Sequence, residues 1–253
     1  TQIDDQIGRL MDYLKDSGQL DETLIVFTSD HGDYLGDHWM GEKTFFQDAS
    51  TKVPLIIYDP SPEADATRGT VCDALVESID LTPTFVDFTG QKVASHILEG
   101  ESLLPILHGV KPETERNFVI SEYDYSASPV ANTLNADVRD AVMFMIATKN
   151  WKMIHCEGGH RPILFDLEAD PQELNDLSDS ADHDEVISGL YDQLFEWARR
   201  SSQRTTRSKE QLLTMRSGAR GRGVILGVYD VNDAPLELTV KYRGRTAKPH
   251  FDE

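Results

Sequence analysis

Nowhere in the 253 residues is there an unbroken apolar run of about 18, so no membrane-spanning helix is predicted. Nor does a charged segment lead into an apolar core at the N-terminus, as a secretory leader would. Cysteine is scarce. Cys72 and Cys156 stand far apart and outside any C-x-x-C pattern, which argues against a disulfide framework. Two isolated thiols fit a reducing compartment, so a cytoplasmic location is the expectation. There is no internal repeat, which excludes a solenoid.

Positive charge is also in short supply: 24 Lys and Arg stand against 44 Asp and Glu, a formal net charge of −20. What there is clusters. Residues 199 to 222 carry eight basic side chains against Glu210 alone, so this stretch holds +7 and the remainder −27. No aromatic residue interleaves these arginines, as a stacking platform for single-stranded nucleic acid requires, and nucleic acid is not expected as a partner. A basic segment on an acidic body points instead to its own or a neighbouring subunit, and a homo-oligomer is predicted.

The patterned part of the sequence opens with Ile3, Ile7, Leu10, Met11 and Leu14 at helical spacing, followed by Gly18. Leu24 to Phe27 is then continuously apolar and stops at Thr28-Ser29-Asp30-His31-Gly32-Asp33, which reads as a buried parallel strand delivering ligands at its C-terminal end. Val53 to Tyr58 reads as a second such strand, and Asp80 as the N-cap of a helix bearing Leu81, Phe85 and Phe88. From about residue 117 short strand-like runs follow (Phe118 to Ser121, Val142 to Thr148, Trp151 to His155, Ile163 to Leu167), with a hairpin at Lys149-Asn150. A helical stripe from Val186 to Trp197 is predicted to cover one face of the resulting antiparallel sheet. The expected division is an α/β half-core over 1 to 110, an antiparallel-sheet subdomain over 111 to 200 and a basic arm over 201 to 253, ending in the alternating Leu236, Leu238, Val240, Tyr242.

A carboxylate and an imidazole delivered together suit a divalent cation, although a bare Asp-His pair serves as often to cap a turn. The continuation is more specific: Asp30-His31-Gly32, then Leu35-Gly36-Asp37-His38, Lys43 and Val53-Pro54-Leu55-Ile56. This stretch resembles the second motif of the sulfatases and phosphonate monoester hydrolases of the alkaline phosphatase superfamily. Three further stretches are similar to that family in the same order: Ser78-Ile79-Asp80-Leu81-Thr82-Pro83-Thr84, Gly100-Glu101-Ser102-Leu103-Leu104-Pro105, and Phe165-Asp166-Leu167 through Asp170-Pro171-Gln172-Glu173-Leu174.

The resemblance implies the C-terminal part of an alkaline-phosphatase-like α/β fold with a small antiparallel subdomain. It implies Asp30 and His31 as ligands of a divalent metal ion (manganese, calcium or zinc), and Lys43 as the cation that binds a non-bridging oxygen of a small sulfate, phosphonate or phosphate ester. For His38 two roles stay open, contact with the leaving group and support of the loop. The family's nucleophile, a formylglycine or serine in Cys-x-Pro-x-Arg or Ser-x-Pro-x-Arg, has no counterpart here, and neither do its two N-terminal aspartates. These are expected upstream, so the chain by itself is expected to be inactive. The Asp-His pair and the long arm point toward the phosphonate monoester hydrolases within the family. A rival expectation from another class is a non-catalytic piece whose role is subunit assembly. His155, Cys156 and His160 match no zinc-ligand spacing, and Asp166 to Glu173 lacks the glycine and terminal glutamate of a calcium loop, so both read as turns.

Overall fold

In the computed structural model, which describes residues 2–199 and 211, the first apolar stripe forms helix α1, Gln2–Asp16. Asp4 and Asp5 occupy its first turn and Lys15 its last, each charge at the pole that favours it. Gly18 ends the helix in the left-handed conformation, so that Gly18 N–H reaches Lys15 O at 3.1 Å and Gln19 N–H reaches Leu14 O at 2.9 Å. No residue of α1 is buried, and Ile3, Leu10 and Tyr13 stand exposed.

Strand β1 (Ile25–Thr28), the single-turn helix α2 (Asp48–Thr51) and strand β2 (Leu55–Tyr58) follow. Here the expectation is corrected. β1 pairs antiparallel with β2, Ile25 opposite Tyr58 and Thr28 opposite Leu55, in a sheet of two strands, and none of their residues is buried. An apolar run of four or five residues marks a strand but does not set the direction of its neighbour.

A 3-10 turn, Ser78–Asp80, leads into helix α3 (Leu81–Phe88), with α4 (Leu104–Leu107) against it. Asp80 stands at the N-cap position of α3 as expected, but its side chain makes no capping bond to that helix. Its carboxylate is fully buried and accepts Glu77 N–H at 2.8 Å and Glu101 N–H at 2.9 Å, while the Arg116 guanidinium clamps its two oxygens at 2.6 and 2.8 Å. Thr84 Oγ1 donates to Asp80 O at 2.6 Å and accepts Leu103 N–H at 2.9 Å. A Cβ at position 100 would lie 2.2 Å from Ile79 O, so only glycine passes there. The motifs around Asp80 and Gly100 are therefore the two halves of one structural knot.

The second sheet runs in the order β3 (Val119–Asp124), β4 (Val142–Ala147), β5 (Trp151–Cys156), β6 (Ile163–Asp166), all antiparallel, with the short helix α5 (Pro129–Leu134) between the first two strands. The expected hairpin closes where Thr148 N–H donates to Trp151 O at 2.8 Å. Alternation splits the strands between two faces. Ile146, Met153 and Leu164 pack under Leu190 and Leu194 of helix α6 (Asp184–Ala198), as the stripe predicts. Met143, Met145, Ile154 and Phe165 face the other way and pack with Phe46 and Tyr125, so the loop carrying Phe46 is part of the core. Residues Thr1–Arg200 group as one unit. The predicted arm, its Leu236 to Tyr242 strand and the assembly role drawn from them lie outside the described residues, apart from Gln211.

Candidate functional site

β1 ends at Thr28, and the chain turns at once through Ser29-Asp30-His31. Ser29 Oγ donates to His31 O at 2.7 Å, and His31 N–H donates to Asp30 Oδ1 at 3.1 Å, which folds the carboxylate back over its neighbour. His31 Nε2 then lies 3.5 Å from Asp30 Oδ2. The other ring nitrogen, Nδ1, is 2.7 Å from Gly32 O. A carbonyl only accepts, so Nδ1 carries a proton, and Nε2 is the ring nitrogen on the side of Asp30. Asp30 is 83% exposed at its side chain. What desolvation it has pushes its carboxyl up, but backbone hydrogen bonds and the charges of His31 and Lys43 hold it below its ordinary value. A carboxylate and an imidazole with its far nitrogen bonded to a carbonyl are donor types that suit a divalent cation, so these two residues fit as part of a ligand set. Among the described residues no group of three or more His, Cys, Asp or Glu could hold a metal ion.

Gly32 approaches backbone rather than ligand. A Cβ there would fall 2.0 Å from Ala49 O, and its N–H donates to Ser50 O at 2.8 Å. The loop beyond it is held by buried Tyr34, whose hydroxyl donates to Gln47 Oε1 at 2.5 Å and whose N–H donates to Glu42 O at 3.0 Å. Leu35, His38, Trp39, Glu42 and Phe45 all take positive φ. Lys43 is exposed, acts on Asp30 through its charge, and has its carbonyl fixed by Ser50 Oγ at 2.8 Å. The structure thus brings Asp30 and His31 together with Lys43 within electrostatic reach. His38, half-buried at φ 52°, packs edge-on against Tyr34 with ring centroids 6.0 Å apart.

One group eluded sequence reasoning. Lys152 of β5, 2% exposed, sends Nζ to Asp48 Oδ1 at 2.6 Å, Glu173 Oε1 at 2.5 Å and Phe46 O at 3.0 Å. Glu173, read as part of a solvated turn, is instead buried, and its other oxygen accepts Asp48 N–H at 2.6 Å. The available signal was a charged residue inside Trp151-Lys152-Met153-Ile154, a strand otherwise built for a core. Burial pushes the Asp48 carboxyl up, but the charges of Lys152 and Lys52 hold it below its ordinary value. The His155-Cys156-His160 stretch is structural: His155 Nδ1 meets Tyr191 OH at 3.0 Å with its ring stacked on Phe144, and burial pushes the Cys156 thiol up, away from the reactive thiolate.

Residues 36 to 200 match the family described as N-sulphoglucosamine sulphohydrolase, C-terminal. The multifunctional alkaline phosphatase superfamily protein PehA of Trinickia caryophylli is 33% identical over 223 residues, which cover 86% of this chain and 43% of that protein. The N-acetylglucosamine-6-O-sulfatase of Bacteroides thetaiotaomicron is 34% identical over 72% of this chain and 31% of its own. The crystal structure of the phosphonate monoester hydrolase of Agrobacterium radiobacter superposes with a TM-score of 0.71 at 33% identity, covering 79% of this chain and 39% of that one. The chain therefore spans less than half the length of these relatives, matches their C-terminal part, and belongs to the sulfatase and phosphonate monoester hydrolase family of the alkaline phosphatase superfamily.

Proposed function

We propose that this chain contributes the second half of a metal-dependent active site that hydrolyses small sulfate, phosphonate or phosphate esters, with the nucleophile and the remaining ligands supplied from elsewhere in the polypeptide. The observation that carries this reading is the pairing of Asp30 with His31 Nε2 at 3.5 Å, with Nδ1 bound to Gly32 O and the charge of Lys43 acting on Asp30. Asp30 and His31 would hold a divalent cation, manganese, calcium or zinc. When bound, such an ion polarises the sulfuryl or phosphoryl oxygen. Lys43 binds a second non-bridging oxygen, where negative charge accumulates in the transition state, so its ammonium lowers the barrier more than it tightens ground-state binding. Kinship with PehA and with a phosphonate monoester hydrolase supports phosphonate and phosphate esters beside sulfate.

The test uses nitrophenyl sulfate and a nitrophenyl phosphonate ester. The 253-residue chain is expected to hydrolyse neither above background; metal-dependent turnover lost in Asp30→Ala would show that it is self-sufficient. In the polypeptide that also carries the nucleophile, Lys43→Ala is expected to lower kcat by about 100-fold or more. Unchanged rates in both Lys43→Ala and Asp30→Ala would refute the assignment.

A further inference from the structure

The buried ionic cluster of Lys152, Glu173 and Asp48 lies away from the reacting groups, yet its bonds lead to them. Lys152 sits on the face of the four-stranded sheet that carries Met145 and Phe165, opposite α6. Its Nζ and the two carboxylates hold the first residue of α2, Asp48, by side chain and by N–H at once. Two residues on, Ser50 O accepts Gly32 N–H, and Ser50 Oγ donates to Lys43 O. The same single-turn helix therefore grips the loop on both sides, at the residue following the ligand pair and at Lys43. We infer that Lys152, Glu173 and Asp48 are positioning residues for Asp30, His31 and Lys43, fixing through α2 the spacing between the metal ligands and the ammonium; this rests on the role proposed above for those three.

Three physical points favour positioning over plain stabilisation. Withdrawing the charges of Lys152 and Glu173 from water is unfavourable relative to apolar packing of the same volume, so a core that needed only cohesion is better served by aliphatic side chains. Charge-assisted hydrogen bonds are directional and short, and fix the helix in three dimensions where an apolar contact lets it slide. A helix of four residues has no cooperative stability of its own, so its placement is set entirely by what holds it. Glu173 also takes φ 57°, an unfavourable conformation for a non-glycine residue, and thereby aims its carboxylate inward.

The experiment is NMR of the isotopically labelled chain, reading the hydrogen-exchange rate of the Gly32 amide and the paramagnetic broadening of His31 on titration with Mn²⁺ alone. The test variant is Lys152→Met combined with Glu173→Gln, which removes two buried charges but leaves an amide oxygen for Asp48 N–H. The expected result is Gly32 exchange faster by about tenfold or more and Mn²⁺ affinity at His31 weaker by about 10- to 100-fold, with the resonances of the α6-covered face in place. Ile146→Val, on the opposite face, controls for loss of stability and leaves both readouts where they were. If the double variant does not fold, Asp48→Asn, at a half-buried position, is expected to move both readouts in the same direction. Wild-type exchange and affinity in a folded variant overturn the inference. If the wild-type chain itself shows no broadening at His31, the proposed metal role fails, and Gly32 exchange still decides whether the cluster positions the loop.

Discussion

A carboxylate taken fully out of water needs a partner for each of its lone pairs, and Asp80 has them: two backbone N–H groups and both arms of Arg116, which also reaches Glu77 Oε2 at 3.1 Å. Arg116→Ala leaves that charge buried without its counter-ion and is expected to destabilise the fold by about 3–5 kcal/mol in urea unfolding. Arg116→Lys keeps the charge without the fork and should fall between. Asp59 makes a similar case with a pH signature. Burial pushes its carboxyl up, but hydrogen bonds from Ser61 N–H at 2.8 Å and Ser61 Oγ at 2.5 Å, with His108 Nε2 at 2.8 Å, outweigh this and hold it below the ordinary 3.8. Its folded pKa being the lower one, Asp59 contributes stability that is present above about pH 4 and is lost as pH falls through the folded value. Asp59→Asn is therefore expected to flatten the acid limb of a stability profile measured from pH 7 down to pH 3; an unchanged limb would assign that loss to other carboxylates. At this scale the sequence showed Asp30, His31 and Lys43 through their local motif. Lys152 and Glu173 stayed hidden because Asp48, the partner they share, lies 104 and 125 positions away in sequence, beyond any local pattern.

Elements were readable where their periodicity has one meaning. The stripe of α6 fixes a face, and the structure puts Ile146, Met153 and Leu164 under that helix. Ile146→Ala is expected to lower stability by about 2–5 kcal/mol, the range for a cavity in a packed core. The strand direction of β1 was not readable, because its run is apolar without alternation. Helix α1 was found, but a stripe does not say what lies against it. Leu10→Ser, on a face exposed in this chain, is expected to shift stability by no more than about 0.5 kcal/mol and to lower binding of a hydrophobic dye. A larger loss in unfolding would mean that α1 is packed in solution.

For the whole molecule the dominant quantity is charge. A body at −27 repels itself while residues 199 to 222 hold +7, so self-association through that stretch should weaken as salt rises. Light scattering at low and high ionic strength, with and without residues 201 to 253, checks this; equal masses in all four conditions remove the arm from any assembly role.

The clasp between β5 and α2 has a further consequence, for the order in which the protein becomes competent. Asp48 and Glu173 are separated by 125 positions, so a polypeptide emerging from the ribosome exposes Asp30, His31 and Lys43 long before the glutamate that anchors their loop exists. The antiparallel pairs of β3 to β6 are closer in sequence than Asp48 and Glu173 and so are expected to form first. A nascent or truncated chain ending before Glu173 would then carry Asp30, His31 and Lys43 without the carboxylate that holds Asp48 N–H. On the positioning role inferred above, the loop of Asp30, His31 and Lys43 is completed only when the segment beyond β6 has docked.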